Sequence, residues 1–303
     1  YASNLSVKVQ RTSNDSYFRK HDINTALVDA ENTNLENIIS YDFSKDNMFF
    51  NISAKVYQDI RKKYNSDQYE VILPSISYGK TFFTQNLGTI DFQSNALFSK
   101  YDTNKSKTFL TNDIIWKPSS FITQNGFVNN IEGMIRNTNY ESKNNEYKDE
   151  GMNNEISAVI SHKTSLPMKK DGINYTNLLS PNLMLRYAPG HMIDLSKNDT
   201  ILNLSNLYSL NKTKEIEKGL SAILGFDFKI NEKTGENSER EKLAVSLGQV
   251  FNLRENTDLP SKSSLDQKMS DVVGEINYNF SSIGKIDYKF SLDHNLNDIN
   301  YNE

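Results

Sequence analysis

Leu220-Ser221-Ala222-Ile223-Leu224-Gly225-Phe226-Asp227-Phe228-Lys229-Ile230 decides the fold. Leu220, Ala222, Leu224, Phe226, Phe228 and Ile230 fall at every second position, with Ser221, Gly225, Asp227 and Lys229 between them. A period of two puts the two sets on opposite faces of a pleated strand. The pattern recurs where Leu243, Val245, Leu247, Phe251 and Leu253 oppose Ala244, Ser246, Gly248, Asn252 and Arg254. It recurs again where Ile286, Tyr288, Phe290 and Leu292 oppose Lys285, Asp287, Lys289, Ser291 and Asp293. Such segments run from end to end, and no helical period replaces them. Joined by polar loops, they predict a large antiparallel sheet that hides its edges by stacking or closing, as barrels, sandwiches and β-solenoids do.

The bulk composition narrows this further. Hydrophobic residues make up 37% of the 303 and the mean hydropathy is -0.63, low for a thick buried core. No run approaches the ~20 apolar residues of a spanning helix. A transmembrane β-barrel passes this test, because only alternate residues of each strand face lipid. A formal charge of -4 gives no basic field, so nucleic-acid binding has nothing to rest on. Cysteine is absent, which suits a bacterial envelope better than an animal secretory route. The chain starts at Tyr1 without a signal sequence and reads as a piece of something longer.

Strands are expected at about 1–10, 22–30, 36–43, 47–59, 69–81, 88–100, 107–117, 126–140, 153–166, 173–189, 215–230, 242–254, 269–280 and 285–296, about 14 in all, mostly suited to the ~9–11 residues of a tilted bilayer crossing. Ser281-Ser282-Ile283-Gly284 and Gln85-Asn86-Leu87-Gly88 read as tight turns. Longer polar loops at 60–68, 141–152, 190–214 and 255–268 fall on one side by strand parity. The turns near 82–87, 118–125 and 167–172 fall on the other, with the long polar connection 231–241 as an exception there. Outer-membrane barrels have this asymmetry, short turns facing the periplasm and long loops the outside. Tyr57, Phe82, Phe83, Tyr101, Tyr140, Tyr187 and Tyr278 sit near strand ends and suggest interfacial aromatic girdles. Pro74 lies inside an otherwise regular strand and implies a bulge, a strand start or an edge, whereas Pro118 and Pro189-Gly190 end strands.

Chemistry-bearing motifs are missing. His21, His162, His191 and His294 are widely separated and lack metal-ligand spacing. The acidic stretch Glu146-Tyr147-Lys148-Asp149-Glu150 lacks the glycine and spacing of a calcium loop. There is no G-x-S-x-G elbow, Walker loop or dinucleotide fingerprint. Triplets such as Asn51-Ile52-Ser53 and Asn174-Tyr175-Thr176 are expected by chance in so Asn-rich a chain. The reading is therefore not an enzyme, with no catalytic, cofactor-binding or metal residue and no cofactor.

A resemblance emerges at the prolines. Ser13-Asn14-Asp15-Ser16-Tyr17-Phe18 resembles the D-x-S/T-Y-[FL] opening segment of the LPS-assembly protein family LptD, also called OstA or organic-solvent-tolerance protein. Ile72-Leu73-Pro74-Ser75-Ile76-Ser77-Tyr78 looks like that family's L-P-x-[IL]-x-Y strand, and Ile115-Trp116-Lys117-Pro118 followed by Gly126 is similar to its W-x-x-P…G hairpin. Leu179-Ser180-Pro181-Asn182 leading to Leu185-Arg186-Tyr187-Ala188-Pro189 resembles the L-x-P…Y-x-P segment before a large outer loop. Ser246-Leu247-Gly248-Gln249-Val250-Phe251 is similar to a G-Q-x-[YF] strand, and Ser270-Asp271-Val272-Val273-Gly274 to the S-D-x-x-G segment that follows. Each motif is short; their order across nearly the whole chain makes the likeness specific.

The resemblance implies an all-β, antiparallel transmembrane barrel in the bacterial outer membrane, of which residues 1–303 are one domain holding the central strands. The N-terminal periplasmic domain and the terminal strands of the family's lateral opening are expected outside this chain. It implies a translocon that assembles lipopolysaccharide into the outer leaflet, with an LptE-like plug lipoprotein in the lumen and periplasmic lipopolysaccharide-bridge proteins as partners beside lipopolysaccharide and outer-membrane lipid. The alternatives are a general diffusion porin, which clusters opposing charges along a constriction, and a soluble secreted β-rich adhesin.

Overall fold

The computed structural model describes residues 1–22, 34–63, 66–144, 151–235, 238–280 and 284–303. The strand expected at 22–30, the acidic tip 146–150 and most of the turn 281–284 lie outside the described residues. In chain order the elements are β1 (Ala2–Lys8), α1 (Tyr17–Lys20), β2 (Asn34–Lys45), β3 (Met48–Asp59), β4 (Tyr69–Thr84), β5 (Gly88–Tyr101), β6 (Ser106–Lys117), β7 (Phe121–Ile122), β8 (Val128–Lys143), β9 (Gly151–Ser165), β10 (Met168–Asp171), β11 (Tyr175–Ala188), α2 (Leu204–Leu207), β12 (Gly219–Gly235), β13 (Ser238–Asn252), β14 (Val272–Asn279), β15 (Lys285–Leu292) and β16 (Ile299–Asn302). A 3-10 turn covers Ser261–Ser263. β1 to β4, β7 with β8, and β9 to β16 pair antiparallel, so the fold class is the one the alternation predicts. Among the described residues, helix is confined to single turns within loops.

The chain forms two compact units. One holds residues 1–84, 89–114 and 136–156; the other holds 85–88, 115–135 and 157–303. In the first unit β1 to β4 lie side by side in chain order. Pro74 sits in a bulge: Ser53 pairs with Ser75 and Lys55 with Ile72, so Ala54 faces two residues of β4. The missing proline donor thus falls where the ladder is already interrupted. One face gathers buried Ser53, Ser99, Thr111 and Asp113. The other exposes Leu110 and Ile114. A row of amides interrupts that apolar face, running from Ser94 Oγ to Asn112 Oδ1 (2.8 Å), Asn112 Nδ2 to Asn137 Oδ1 (3.4 Å) and Asn137 Nδ2 to Asn154 Oδ1 (3.1 Å). α1 sets Phe18 against Leu35 and Ile60 in a small separate core.

In the second unit β11 pairs with β9, β10 and β12, and the order then continues β12, β13, β14, β15, β16. Leu166 N donates to Pro181 O at 3.1 Å, so the edge of Pro181 that lacks an N–H faces the gap between β9 and β10. The alternation holds residue by residue: Leu183 pairs with Leu224, Tyr187 with Leu220 and Phe226 with Leu247 on the exposed apolar face. Met184, Ile223, Val250 and Val273 lie buried on the opposite face.

Several boundaries differ from expectation. Residues 231–241 are no long connection: β12 continues to Gly235 and pairs with β13 from Ser238. Cross-strand charges hold this polar extension together, Arg240 to Glu232 at 2.6 Å and Lys229 to Glu241 at 2.9 Å. The parity exception therefore disappears. β12 begins at Gly219 and β14 at Val272, because residues 215–218 and 269–271 belong to loops folded over the sheet, although Met269 makes an isolated bridge to Phe251. β15 ends at Leu292, and β16 adds a strand the alternation did not flag. The short β7 and β10 occupy segments expected to be turns, each extending its neighbour's ladder.

Candidate functional site

A polar ladder crosses the second unit on the face opposite Leu224 and Leu247. Asn182 Nδ2 donates to Asp227 Oδ2 at 2.8 Å and Ser246 Oγ donates to Asp227 Oδ1 at 2.6 Å, joining β11, β12 and β13. Lys163 Nζ lies 3.9 Å from the Tyr208 ring centroid, a cation held over an aromatic face. Farther along the same strands Thr176 is wholly buried and donates to Glu239 at 2.7 Å, while Asn231 reaches that carboxylate at 3.1 Å. Asp, Ser and Asn side chains each end in groups that can also exchange hydrogen bonds with water.

Two loops close over this face. The loop from β11 to β12 (residues 189–218) carries α2, whose Asn203 cap accepts from Ser205 N and Asn206 N while Asn206 Oδ1 accepts from Asn203 N. That reciprocal cap fixes a single helical turn that would not survive in isolation. It aims Leu207, fully buried, at Gly248, where an added Cβ would stand 2.3 Å from the Leu207 side chain. Gly225, paired with Gly248 across the ladder, gives the same clearance to Tyr208 Oη. Two glycines at one register therefore make the seat, and burying Leu207 there contributes about 1.5–3 kcal/mol. Burial and the nearby Asp227 push the Tyr208 phenol up to about 12, so it stays a neutral donor.

Arg186 anchors the loop from below. Its Nε and Nη2 donate to Leu210 O at 2.9 and 2.6 Å, and its Nη1 donates to Glu217 O at 2.8 Å. Glu217 Oε2 stands 2.9 Å from Arg186 Nη2 as an ion pair without an aligned N–H, while Oε1 accepts from Thr213 N and Oγ1. Lys212 is buried beside this pair, and burial pushes its ammonium down to about 8. The loop from β13 to β14 (residues 253–271) locks the first in place. Leu195 N donates to Asp258 O at 2.7 Å and Leu202 N to Ser263 Oγ at 2.8 Å. Asp271, fully buried, accepts from Ser264, Ser291 and Asn300 at 2.8–2.9 Å, and Gln249 Nε2 donates to Ser270 O at 2.7 Å. The G-Q and S-D motifs are thus one joint between strand and loop.

The first unit carries a parallel arrangement. Tyr57 Oη donates to Glu36 at 2.9 Å, Ser99 Oγ donates to Glu70 at 2.6 Å, and Arg136 grips Asp113 through two bonds of 2.8 Å. Tyr57 and Tyr101 point to this polar face, Tyr101 also being bonded to Glu70, so they leave the expected girdle. Tyr140 shares the face of buried Thr138 and Ser142 and leaves it too. Phe82, Phe83, Tyr187 and Tyr278 are exposed.

The histidines do not converge. His21 packs on the Tyr17 ring, His162 meets Asn129 at 3.0 Å, His191 is exposed, and His294 pairs with Asp293. Among the described residues no group of three His, Cys, Asp or Glu could hold a metal. Arg186, Glu217, Asp227 and Asp271 went unseen as functional candidates. Only Arg186 carried a signal, a cation set in the otherwise apolar run Leu183-Met184-Leu185-Arg186-Tyr187.

A family model described as LPS transport system D, LptD, matches residues 3–303. Among curated proteins none matches the chain.

Proposed function

The chain belongs to the LptD family, which serves lipopolysaccharide transport and assembly at the outer membrane of Gram-negative bacteria, and we propose that it forms the central wall of a lipopolysaccharide translocon. One observation carries this reading: β11 to β13 present an exposed apolar face on one side and an Asn182–Asp227–Ser246 ladder on the other. A lipid with a large charged head and many acyl chains needs both solvents at once, and a strand of period two supplies them within one residue's thickness. The apolar face meets the bilayer. The polar face lines the hydrated interior, where the saccharide passes and where an LptE-like lipoprotein docks. Bridge proteins in the periplasm hand over the lipid through an N-terminal domain outside this chain, and no covalent step is required of these residues.

The long loops at 189–218 and 253–271 then face outward, and the cap over the ladder closes this part of the wall toward the medium. Depletion of the full protein in cells, with complementation by parent or variant, tests the reading. Loss of newly made lipopolysaccharide from the surface, with other outer-membrane proteins unaffected, is the expected result. Free ion conduction by the purified protein together with its plug partner would instead indicate a diffusion porin. Failure to partition into lipid vesicles would indicate a soluble adhesin.

A further inference from the structure

At the loop-side ends of β11, β12 and β13, the apolar face breaks into a cavity of about 590 Å³. Its floor is Tyr187, Leu220 and Leu253, all exposed and in register: Tyr187 pairs with Leu220, and Leu253 N donates to Leu220 O at 3.0 Å. Just beyond the apolar step each strand places a nitrogen group, His191 after β11, Lys218 before β12 and Arg254 after β13, and all three line the cavity. The three side chains are exposed and have no ion-pair or hydrogen-bond partner among the described residues. Glu255 and Asp258 lie farther along the same loop, also lining the cavity.

The sequence of chemistries along the wall is therefore apolar, cationic, then acidic. Three exposed apolar side chains facing lipid call for acyl chain. Unpaired Lys and Arg at the level where the hydrocarbon ends call for an anion there, and a planar guanidinium takes two oxygens of a phosphate at once. The carboxylates beyond them suit a second layer in which a divalent cation bridges carboxylate and phosphate oxygens. An amphiphile with phosphate directly above its acyl chains matches all three layers.

We infer that this groove is a docking site on the outer wall for a membrane lipid that carries phosphate on its headgroup. The inference rests on the outer-membrane reading, which places these strand ends at the outer leaflet. The site opens at the strand ends, between the apolar face and the covering loops, whose Met192 and Leu259 also line it, and Asp227 and Ser246 of the polar ladder do not. It holds a lipid against the wall beneath the cap, where the Leu220 and Leu253 ends meet the headgroup layer.

The test uses the full-length protein in nanodiscs with bis-phosphorylated lipid A as the probe, alongside Lys218→Gln/Arg254→Gln. Each Lys or Arg near an anionic lipid surface contributes enough that removing two weakens binding roughly thirtyfold. A photo-crosslinker at Leu253 should capture lipid A in the parent and lose most of it in the double variant. Dephosphorylated lipid A should bind poorly, and millimolar inorganic phosphate should not displace the phosphorylated lipid. Equal binding by parent and double variant, equal binding of the dephosphorylated lipid, or full displacement by free phosphate would each overturn the site. Surface delivery of lipopolysaccharide is scored separately: lost binding with normal delivery upholds the groove and leaves transport intact. Normal, phosphate-dependent binding in a protein that fails to deliver would overturn the transport reading alone.

Discussion

Arginine at Leu247 and arginine at Ser246 should behave oppositely, although the two positions are adjacent. The outward apolar run of β12 spans ten residue steps from Leu220 to Ile230. At ~3.3 Å per residue and a tilt near 40°, that run is about 25 Å tall, the height of the apolar band of an outer-membrane barrel. Phe226 lies one step past its centre, about 2.5 Å from the midplane on the same geometry. Leu247 pairs with Phe226 and its side chain covers Gly274, where an added Cβ would meet it at 2.5 Å. A guanidinium there has neither water nor a partner and should cost about 2–4 kcal/mol. Ser246 points to the other face, with its Oγ 2.6 Å from Asp227. Arginine at that position loses one hydrogen bond and sets a cation beside the same carboxylate, so the net cost should be about 1 kcal/mol or less. Urea titrations of both variants of the full-length protein in lipid vesicles measure the contrast. Equal penalties would mean that both faces see the same solvent and would refute the membrane assignment, and a larger penalty at Ser246 would mean that the register is off by one.

Arg186→Ala should strip the 189–218 loop of its anchor, leaving the buried Glu217 carboxylate without its cation at a cost of about 3–5 kcal/mol, read as lost hydrogen-exchange protection there while β12 stays protected. Lys212→Met should stabilise the same loop at neutral pH. The folded chain releases this proton at about 8 and the unfolded chain at its ordinary 10.5, so parent stability rises between those values and the advantage of the variant should shrink across the window, a trend that proteolysis at several pH values follows. Cysteine at exposed Asp199 should react with an impermeant thiol reagent on intact cells, and cysteine at exposed Asn86 should react only after permeabilisation; the reverse pattern would invert the topology.

What the sequence made legible and what it hid divide along a physical line. A period of two is a local property, so the long strands from β2 to β15, though not the short β7 and β10, could be read close to where the structure places them, Pro74 announced its bulge, and the order of weak motifs pointed to the family that matches residues 3–303. The hidden parts depend on partners far away in sequence. Residues 231–241 looked like a loop because they are polar, yet Glu232 and Arg240 neutralise one another only once the strands pair. Tyr57 and Tyr101 looked like membrane aromatics, yet Glu36 and Glu70 on neighbouring strands draw their hydroxyls to the polar face. Ile223 is the most instructive residue. It stands on the face of Ser221 and Asp227, where the alternation would place a polar side chain, and it is fully buried. Val250 and Met184 intrude on that face in the same way, and together with Leu202, Leu207 and Leu210 from the loop they form one core. An apolar residue out of phase on a wet wall has to be covered by something. Here the cover is the chain's own loop, seated on Gly225 and Gly248, and the out-of-phase residues were the sequence's one trace of it.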